Sequence, residues 1–329
     1  MSWNLIGHEW AENLLKEHIV HDEVRHAYLF TGARGTGRRS LAVEFACAIN
    51  CLQPPAPGEF CGKCRMCTQI QKMQQADLGI IQAENEAGTI KVEQVRNLER
   101  SLSLSPYEAK YRVAMLLDFQ QANANAQNAL LKTLEEAPQK VILLLSADSA
   151  DNLLPTIASR CEIMRLRPAS ISVLENALIS RWQIPNEKAR LLAHLANGRV
   201  GTALRYANEP ELLETRSTLL DDLQHIMAGS RRDRFAYGEA QYRNREQLRA
   251  ILQVWYTYAR DLMLVVNGTA DQITNLDRET ELQALAAKVT PVQALQMVQA
   301  IDRAVAALDS NGHLRLLLDT LFLDFPQIQ

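Results

Sequence analysis

Short apolar runs alternate with amphipathic stretches of helical length through the first half of the chain. Runs of this kind occupy residues 27–32, 78–83, 111–118 and 141–147. Buried strands separated by helices are typical of a parallel sheet that is covered by helices on both faces. The pattern therefore predicts an α/β domain over residues 1–167.

The pattern changes after Pro168, where strand-like runs no longer occur. Residues 170–207 contain segments with the apolar spacing of helices, and the last of these begins at the glycine-containing stretch NGRVG. Together these segments predict a small helical domain over residues 168–208.

The remaining part of the chain, residues 209–329, is also predicted to be helical. Its clearest helix is expected at Leu248–Val266, with Gly268 as the residue that stops it. A further helix is expected to begin at Pro291, because proline is favoured in a first helical turn. The basic run Arg231–Arg234 is interpreted as a solvated loop between helices.

Composition indicates a globular protein with two or three domains. The chain has 329 residues, of which 47% are apolar and 22% are charged. Its formal net charge of −3 disfavours bulk electrostatic attraction to nucleic acid. Any contact with DNA is therefore expected to come from a local basic face or from partner subunits.

The N-terminal stretch and the apolar runs indicate the compartment. Glu9, Glu12 and Glu17 interrupt the first residues, which speaks against a signal peptide, and each apolar run is shorter than a membrane span. We therefore expect a cytoplasmic protein with no membrane partner. Thiols stay reduced in that compartment, so clustered cysteines favour metal binding over disulfides.

A glycine loop directly follows the first predicted strand and precedes a helical stretch. The loop reads GARGTG, with Gly32, Gly35 and Gly37 as its glycines. Glycines in such a loop let backbone amides face an anion at the N-terminus of the following helix. The context therefore predicts a phosphate-binding loop.

The side chains that would act in such a loop are replaced. A working loop ends in a lysine that reaches the phosphates and a serine or threonine that holds Mg²⁺. Arg38 and Arg39 stand at these positions. Ser40 is one residue out of register, which turns its side chain by about 100° on a helix. We expect a degenerate loop that does not hydrolyse ATP, and the sequence leaves open whether a nucleotide still binds.

The acidic half of a nucleotide site is also incomplete. Such a site pairs a carboxylate for Mg²⁺ with a neighbour that activates water, at the end of a strand. Asp118 takes the place of one acid and Leu117 takes the place of the other. Asp118 is therefore interpreted as part of a degenerate Walker B motif.

A cluster of cysteines lies in an excursion over residues 51–67. Two overlapping C-x-x-C units and an upstream cysteine supply enough thiolates for a closed, structural zinc site, with the ligands Cys51, Cys61, Cys64 and Cys67. Unmetallated thiols and an iron–sulfur cluster are the alternatives. Cys47 and Cys161 are assigned to packing, because free cysteine behaves as a small apolar residue.

Several separated segments resemble one family. The segments WNLIGHEWAENLLK, RHAYLFTG, NALLKTLEEAP and LLPTIASRC occur in the order found in bacterial clamp loader ATPases of the AAA+ class. The resemblance covers about the first half of the chain and is specific because the segments occur in combination. It implies an AAA+ phosphate-loop domain at 1–167 with the cysteine-bearing insertion, a helical lid domain at 168–208 and an all-α collar domain for oligomerisation at 209–329.

The family contains ATP-hydrolysing gamma or tau subunits and a subunit that serves as a stator. Gamma or tau would be expected to carry the loop lysine, a following threonine and paired acids, which this sequence lacks. The resemblance therefore implies the largely non-catalytic stator, with an ATP-hydrolysing subunit of the gamma or tau type as the alternative. It implies gamma or tau and delta subunits as partners in a hetero-pentamer. Through that complex, the sliding clamp and primed DNA become partners in replication.

The resemblance also implies roles for individual residues. Arg160 matches the arginine of the SRC motif, which reaches the γ-phosphate of a neighbouring subunit's ATP as an arginine finger; a local ion pair is the alternative. Gly201 stands where an active lid helix carries a phosphate-sensing arginine, and Arg199 and Arg205 are two or more positions away. The cysteine arrangement occurs in this family too. A zinc-dependent nucleic-acid binder is disfavoured, because CGKCRMC lacks interleaved aromatic residues.

Overall fold

The computed structural model describes residues 3–84, 88–241, 244–269, 272–310 and 312–325, without the side chains of residues 240 and 241. The chain divides into two compact units. One comprises Met1–Ala177 with Gly198–Thr202, and the other comprises Leu178–Asn197 with Ala203–Gln329. The division into three domains at residues 167 and 208 stays a prediction.

The first unit is built on a parallel sheet in the order β2-β3-β4-β1-β5. The strands are β1 Ala27–Thr31, β2 Leu78–Ile81, β3 Arg112–Leu116, β4 Val141–Ala147 and β5 Glu162–Arg165. The predicted parallel sheet and its first four strands are confirmed. The apolar pattern did not predict β5, which is short and has only one fully buried residue, Met164.

Helices cover both faces of this sheet, as the α/β pattern predicts. They are α1 Glu9–Val20, α2 Arg38–Asn50, α3 Arg65–Gln71, α4 Val92–Leu102, α5 Ala124–Glu135 and α6 Pro155–Ala158. Alternate residues of β1 enter opposite cores, since successive side chains of a strand point to opposite faces. Tyr28 and Phe30 pack with Phe45 of α2, whereas Leu29 packs in the core that contains Leu130 of α5.

Beyond Arg167, the regular elements among the described residues are all helices. Its helices are α7 Ile171–Trp182, α8 Asn186–Ala196, α9 Val200–Asn208, α10 Pro210–Ala228, α11 Arg231–Gln241, α12 Arg245–Val266, α13 Glu279–Ala286, α14 Pro291–Asp309 and α15 Leu314–Asp324. The predicted start at Pro291 is confirmed, and Thr290 caps that helix through the amide of Gln293. Gly268 follows the end of α12 in a left-handed conformation, as a stop residue should.

The core of the second unit is centred on Trp255 of α12. Its indole lies among Tyr237, Phe322 and Phe325, with ring centroids 5.8–6.4 Å from it. Among the described residues, every helix is too short or too polar to cross a membrane.

The interpretation of Arg231–Arg234 as a solvated loop is wrong in its secondary structure and for Arg234, whereas Arg231, Arg232 and Asp233 are exposed as expected. These residues form the first turn of α11, and Arg234 is 2% exposed. Its guanidinium donates hydrogen bonds to backbone carbonyls near the C-terminal ends of α10 and α15, at Ile226, Met227, Phe322 and Phe325. Carbonyls in a last helical turn have no partner within their own helix, so a buried arginine satisfies them. Arg234 is buried because its guanidinium donates to these carbonyls. The sequence pattern does not reveal these hydrogen bonds.

Candidate functional site

The glycine loop has the backbone conformation that a phosphate cradle requires. Gly32, Gly35 and Gly37 all have positive φ, at 145°, 87° and 101°. A side chain at Gly32 would also collide with the carbonyl oxygen of Leu166, which lies 2.2 Å from the position of a Cβ atom. The loop runs from the end of β1 into α2, which begins at Arg38. The strand, loop and helix therefore have the arrangement that the sequence predicts.

The Arg38 side chain is paired within the chain. It is 6% exposed, and its Nη2 donates a 2.8 Å hydrogen bond to Oδ1 of Asp118. Its Nη1 lies 2.8 Å from Oδ1 of Asp148 in an ion pair that is not aligned as a hydrogen bond. Asp118 follows β3 and Asp148 follows β4. The guanidinium therefore links the carboxyl ends of two neighbouring strands.

The residues beside Arg38 do not supply the missing chemistry. Leu117 is 4% exposed and belongs to the apolar core, so a metal ligand at this position is absent. Arg39 and Ser40 are both exposed on α2. Asp118 has a left-handed backbone, and its amide donates to the Ser146 hydroxyl at 2.9 Å. Its carboxylate is the acid of the degenerate motif, and Arg38 binds it.

The segment Gly198–Thr202 packs directly against the loop. The Gly201 amide donates a 2.8 Å hydrogen bond to the Gly35 carbonyl. A Cβ on Gly201 would lie 3.1 Å from the Gly35 Cα, and one on Gly35 would lie 2.5 Å from the Thr202 Oγ1. The two backbones approach too closely for a large side chain, which explains the glycines. A side chain at position 201 would therefore be in tight contact with the Gly35 backbone.

The predicted zinc ligands are brought together. The Sγ atoms of Cys51, Cys61, Cys64 and Cys67 all lie within 4.8 Å of one another. Successive members are linked by amides that donate to sulfur, at 3.3 Å from Cys61 to Cys51, 3.2 Å from Cys64 to Cys61 and 3.4 Å from Cys67 to Cys64. Hydrogen bonds of this kind favour the thiolate, which is the form that binds metals.

The geometry of the cluster fits a tetrahedral metal ion. Zinc–sulfur bonds of about 2.3 Å place the sulfurs of a tetrahedral site about 3.8 Å apart, which is compatible with the observed spread. The backbone amide of Lys63 contributes most to lowering the pKa of Cys61 to about 6, whereas burial raises the pKa of Cys51 and Cys67. The four cysteines could therefore hold a metal ion.

The two remaining cysteines lie outside the cluster. Cys47 is fully buried and packs in the core between β1 and α2, where burial raises its pKa to about 12. Cys161 packs against the core on the other face of the sheet, and burial raises its pKa to about 12 as well. Both positions agree with the packing role that the sequence predicts.

Arg160 lies between α6 and β5 and is 35% exposed at its side chain. Its Nη2 donates a 2.7 Å hydrogen bond to the Glu135 carboxylate at the end of α5, and its Nη1 donates to the Thr156 carbonyl at 2.9 Å. The guanidinium is thus partly exposed to solvent, while two of its N–H groups donate to Glu135 and Thr156. The role of Arg160 as a finger stays a prediction, and the local ion pair that was its alternative is present.

The fold and the loop define a class: a parallel α/β module with a phosphate-type loop that carries arginine at its lysine position. The family model described as "DNA polymerase III, delta subunit" matches residues 7–170. The DNA polymerase III subunit delta′ of Bacillus subtilis is 28% identical over 314 residues, which are 94% of this chain and 93% of that protein. The delta′ subunit of Pseudomonas aeruginosa is 31% identical over 66% of each chain.

Gamma and tau subunits are also similar to this chain. The tau subunit of Escherichia coli is 30% identical over 63% of this chain, which spans only 32% of that longer protein. A gamma subunit-related protein of Thermotoga maritima has a solved structure that covers 95% of this chain and 97% of its own, with 19% identity and a TM-score of 0.49.

The chain belongs to the family of DNA polymerase III clamp loader subunits, in its delta′ group. The resemblance to clamp loader subunits stated from the sequence is thereby confirmed.

Proposed function

We propose that this chain is a largely non-catalytic delta′ stator that neither hydrolyses ATP nor activates it within its own loop. It assembles with gamma or tau and delta subunits in a hetero-pentamer. That complex opens the sliding clamp and places it on primer-template DNA during replication in the cytoplasm. The similarity to delta′ subunits along nearly the whole chain supports this assignment.

The observation that carries the proposal is the pairing of Arg38. In a working loop the corresponding cation reaches the β- and γ-phosphates. Here the guanidinium is buried between the carboxylates of Asp118 and Asp148. Binding a phosphate would require Arg38 to give up these two partners. Leu117 in the core and the close contact between Gly201 and Gly35 support the same conclusion.

Arg160 is the proposed contribution of this subunit to catalysis. An arginine finger stabilises the charge that develops on the transferred phosphoryl group at a neighbour's site. The partly exposed guanidinium of the SRC arginine supports this role. A buried arginine whose guanidinium donates to several backbone carbonyls, such as Arg234, would not be suited to it.

We also propose a structural zinc ion bound by Cys51, Cys61, Cys64 and Cys67. Four sulfur ligands leave no open coordination position, so the metal would stabilise the excursion over residues 51–67 and supply no catalysis. The excursion also packs on the rest of the unit, since Trp3 donates to the Gly58 carbonyl at 3.0 Å and its ring contacts Phe60.

The experiment that tests the non-catalytic assignment is equilibrium binding of a fluorescent ATP analogue to the purified chain, together with its ATPase activity. We expect no Mg²⁺-dependent binding in the micromolar range and no ATPase activity. The alternative, an ATP-hydrolysing subunit of the gamma or tau type, predicts tight Mg²⁺-dependent binding. Phosphate release that disappears on substitution of Arg38 would establish that alternative.

A further inference from the structure

Arg160 is held by two groups of the same compact unit. The Glu135 carboxylate accepts from Nη2 at 2.7 Å, and the Thr156 carbonyl accepts from Nη1 at 2.9 Å. These contacts use two N–H groups of the guanidinium and leave its others for a further acceptor. A phosphate oxygen can therefore be bound while Glu135 and Thr156 keep their contacts.

Glu135 is itself fixed in space by α5. It is the last residue of that helix, and the preceding Leu130 and Leu134 are buried in the core. The buried Gln127, also on α5, accepts from the Leu154 amide at 2.9 Å and so ties α5 to the segment that leads to Arg160. The helix is thus attached to this segment at two points, Gln127 near its start and Glu135 at its end.

We propose that Glu135 is a positioning residue that orients Arg160 toward the neighbouring subunit's ATP. The proposal rests on the proposed role of Arg160 as an arginine finger. An unrestrained arginine loses much rotamer freedom when it binds a phosphate, and a partner that holds it beforehand reduces that loss. Glu135 acts through Arg160 and touches no nucleotide.

The exposure of the pair separates this role from a purely structural one. The Arg160 and Glu135 side chains are 35% and 52% exposed. Exposed ion pairs contribute little to folding stability. Replacing Glu135 is therefore expected to leave folding and assembly unchanged, while it alters the rate at the neighbour's site.

The test uses the reconstituted clamp loader with Glu135→Gln, which removes the charge and keeps the shape. We expect the part of kcat that depends on Arg160 to fall about threefold to tenfold, the cost of immobilising one flexible side chain, with KM for ATP unchanged. Glu136→Gln is the matched control, because this exposed neighbour carries the same charge at the same helix end. Glu135→Asp should recover part of the rate.

A double-variant cycle decides whether Glu135 acts through Arg160. In an Arg160→Ala background, Glu135→Gln should have no further effect on turnover. Equal rates for Glu135→Gln and Glu136→Gln would overturn the proposal while leaving the finger intact. A faster rate with Glu135→Gln would overturn it too, in favour of a carboxylate that sequesters the arginine. Wild-type turnover with Arg160→Ala alone would instead refute the finger itself.

Discussion

Arg38 lies at the lysine position of the glycine loop and Arg160 is the arginine of the SRC motif, but their surroundings differ. Arg38 is 6% exposed and lies against two carboxylates at the ends of β3 and β4. Arg160 is 35% exposed and lies against one carboxylate at the end of α5. The first guanidinium is part of the internal structure, whereas the second remains available to another molecule.

If the proposed function holds, this difference corresponds to a subunit that has lost one half of a shared active site and kept the other. In the proposed complex, the loop of Arg38 would serve this chain's own nucleotide, and Arg160 would serve that of a neighbour. Because Arg38 pairs with Asp118 and Asp148, the loop contributes to the internal structure even without a ligand. In that complex, the rate of ATP hydrolysis at the neighbour's site would depend on Arg160 and on Glu135, which positions it.

The largest effect is expected from removing the Arg160 guanidinium. In the assembled loader, Arg160→Ala should slow hydrolysis at the neighbour's site by about 10³- to 10⁵-fold, the contribution typical of arginine fingers. Other ATP sites keep their own fingers, so total ATPase activity should fall only partly, and clamp loading should fall further. Steady-state ATPase and loading assays measure both.

The exposed Arg167 supplies the control for that variant. Arg167→Ala should retain both rates. If Arg160→Ala lowers the amount of assembled complex but leaves turnover per complex unchanged, the local ion pair is the whole role of Arg160.

A substitution in the cysteine cluster is not expected to alter the contacts of Arg38 or Arg160. Cys64→Ser removes one of four ligands, and zinc content should fall from about one equivalent per chain to well below it. Elemental analysis after purification without chelator measures this. Cys161→Ser is the control, because Cys161 packs against the core on the other face of the sheet and should not affect zinc content. Full zinc content in Cys64→Ser would contradict the proposed site.

Arg38→Ala should have a smaller effect, and on stability rather than turnover. It leaves Asp118 and Asp148 without their shared cation, and we expect a loss of about 1–3 kcal/mol, limited because both carboxylates are partly exposed. For a unit of this size, that corresponds to a Tm lower by about 2–10 °C.

Arg39→Ala is the control for this measurement, because Arg39 is exposed on the same helix. Arg39→Ala should change stability by no more than about 0.5 kcal/mol. Thermal unfolding of the two variants side by side gives the comparison. Equal Tm values would mean that the internal pairing of Arg38 does not stabilise the fold.

The sequence by itself determined the parallel sheet, its first four strands, the helical remainder and the cysteine cluster. These features depend on local signals: the period of apolar residues, the glycines of a loop, a proline at a helix start and the short spacing of C-x-x-C units. The replacement of the loop lysine, its hydroxyl neighbour and one acid was also readable, because Arg38, Arg39 and Leu117 stand at those positions. The fifth strand escaped because a run of four residues carries too little periodicity.

Only the tertiary structure decided what each arginine does with its charge. Arg38 finds Asp118 at a separation of 80 residues, Arg160 finds Glu135 at 25, and Arg234 reaches Phe322 at 88. Partners this distant are set by how strands and helices pack, and no local pattern encodes them. Arg38 therefore links two strand ends inside the unit, and Arg160 is paired but partly exposed. Arg234 is buried and donates to carbonyls at helix ends.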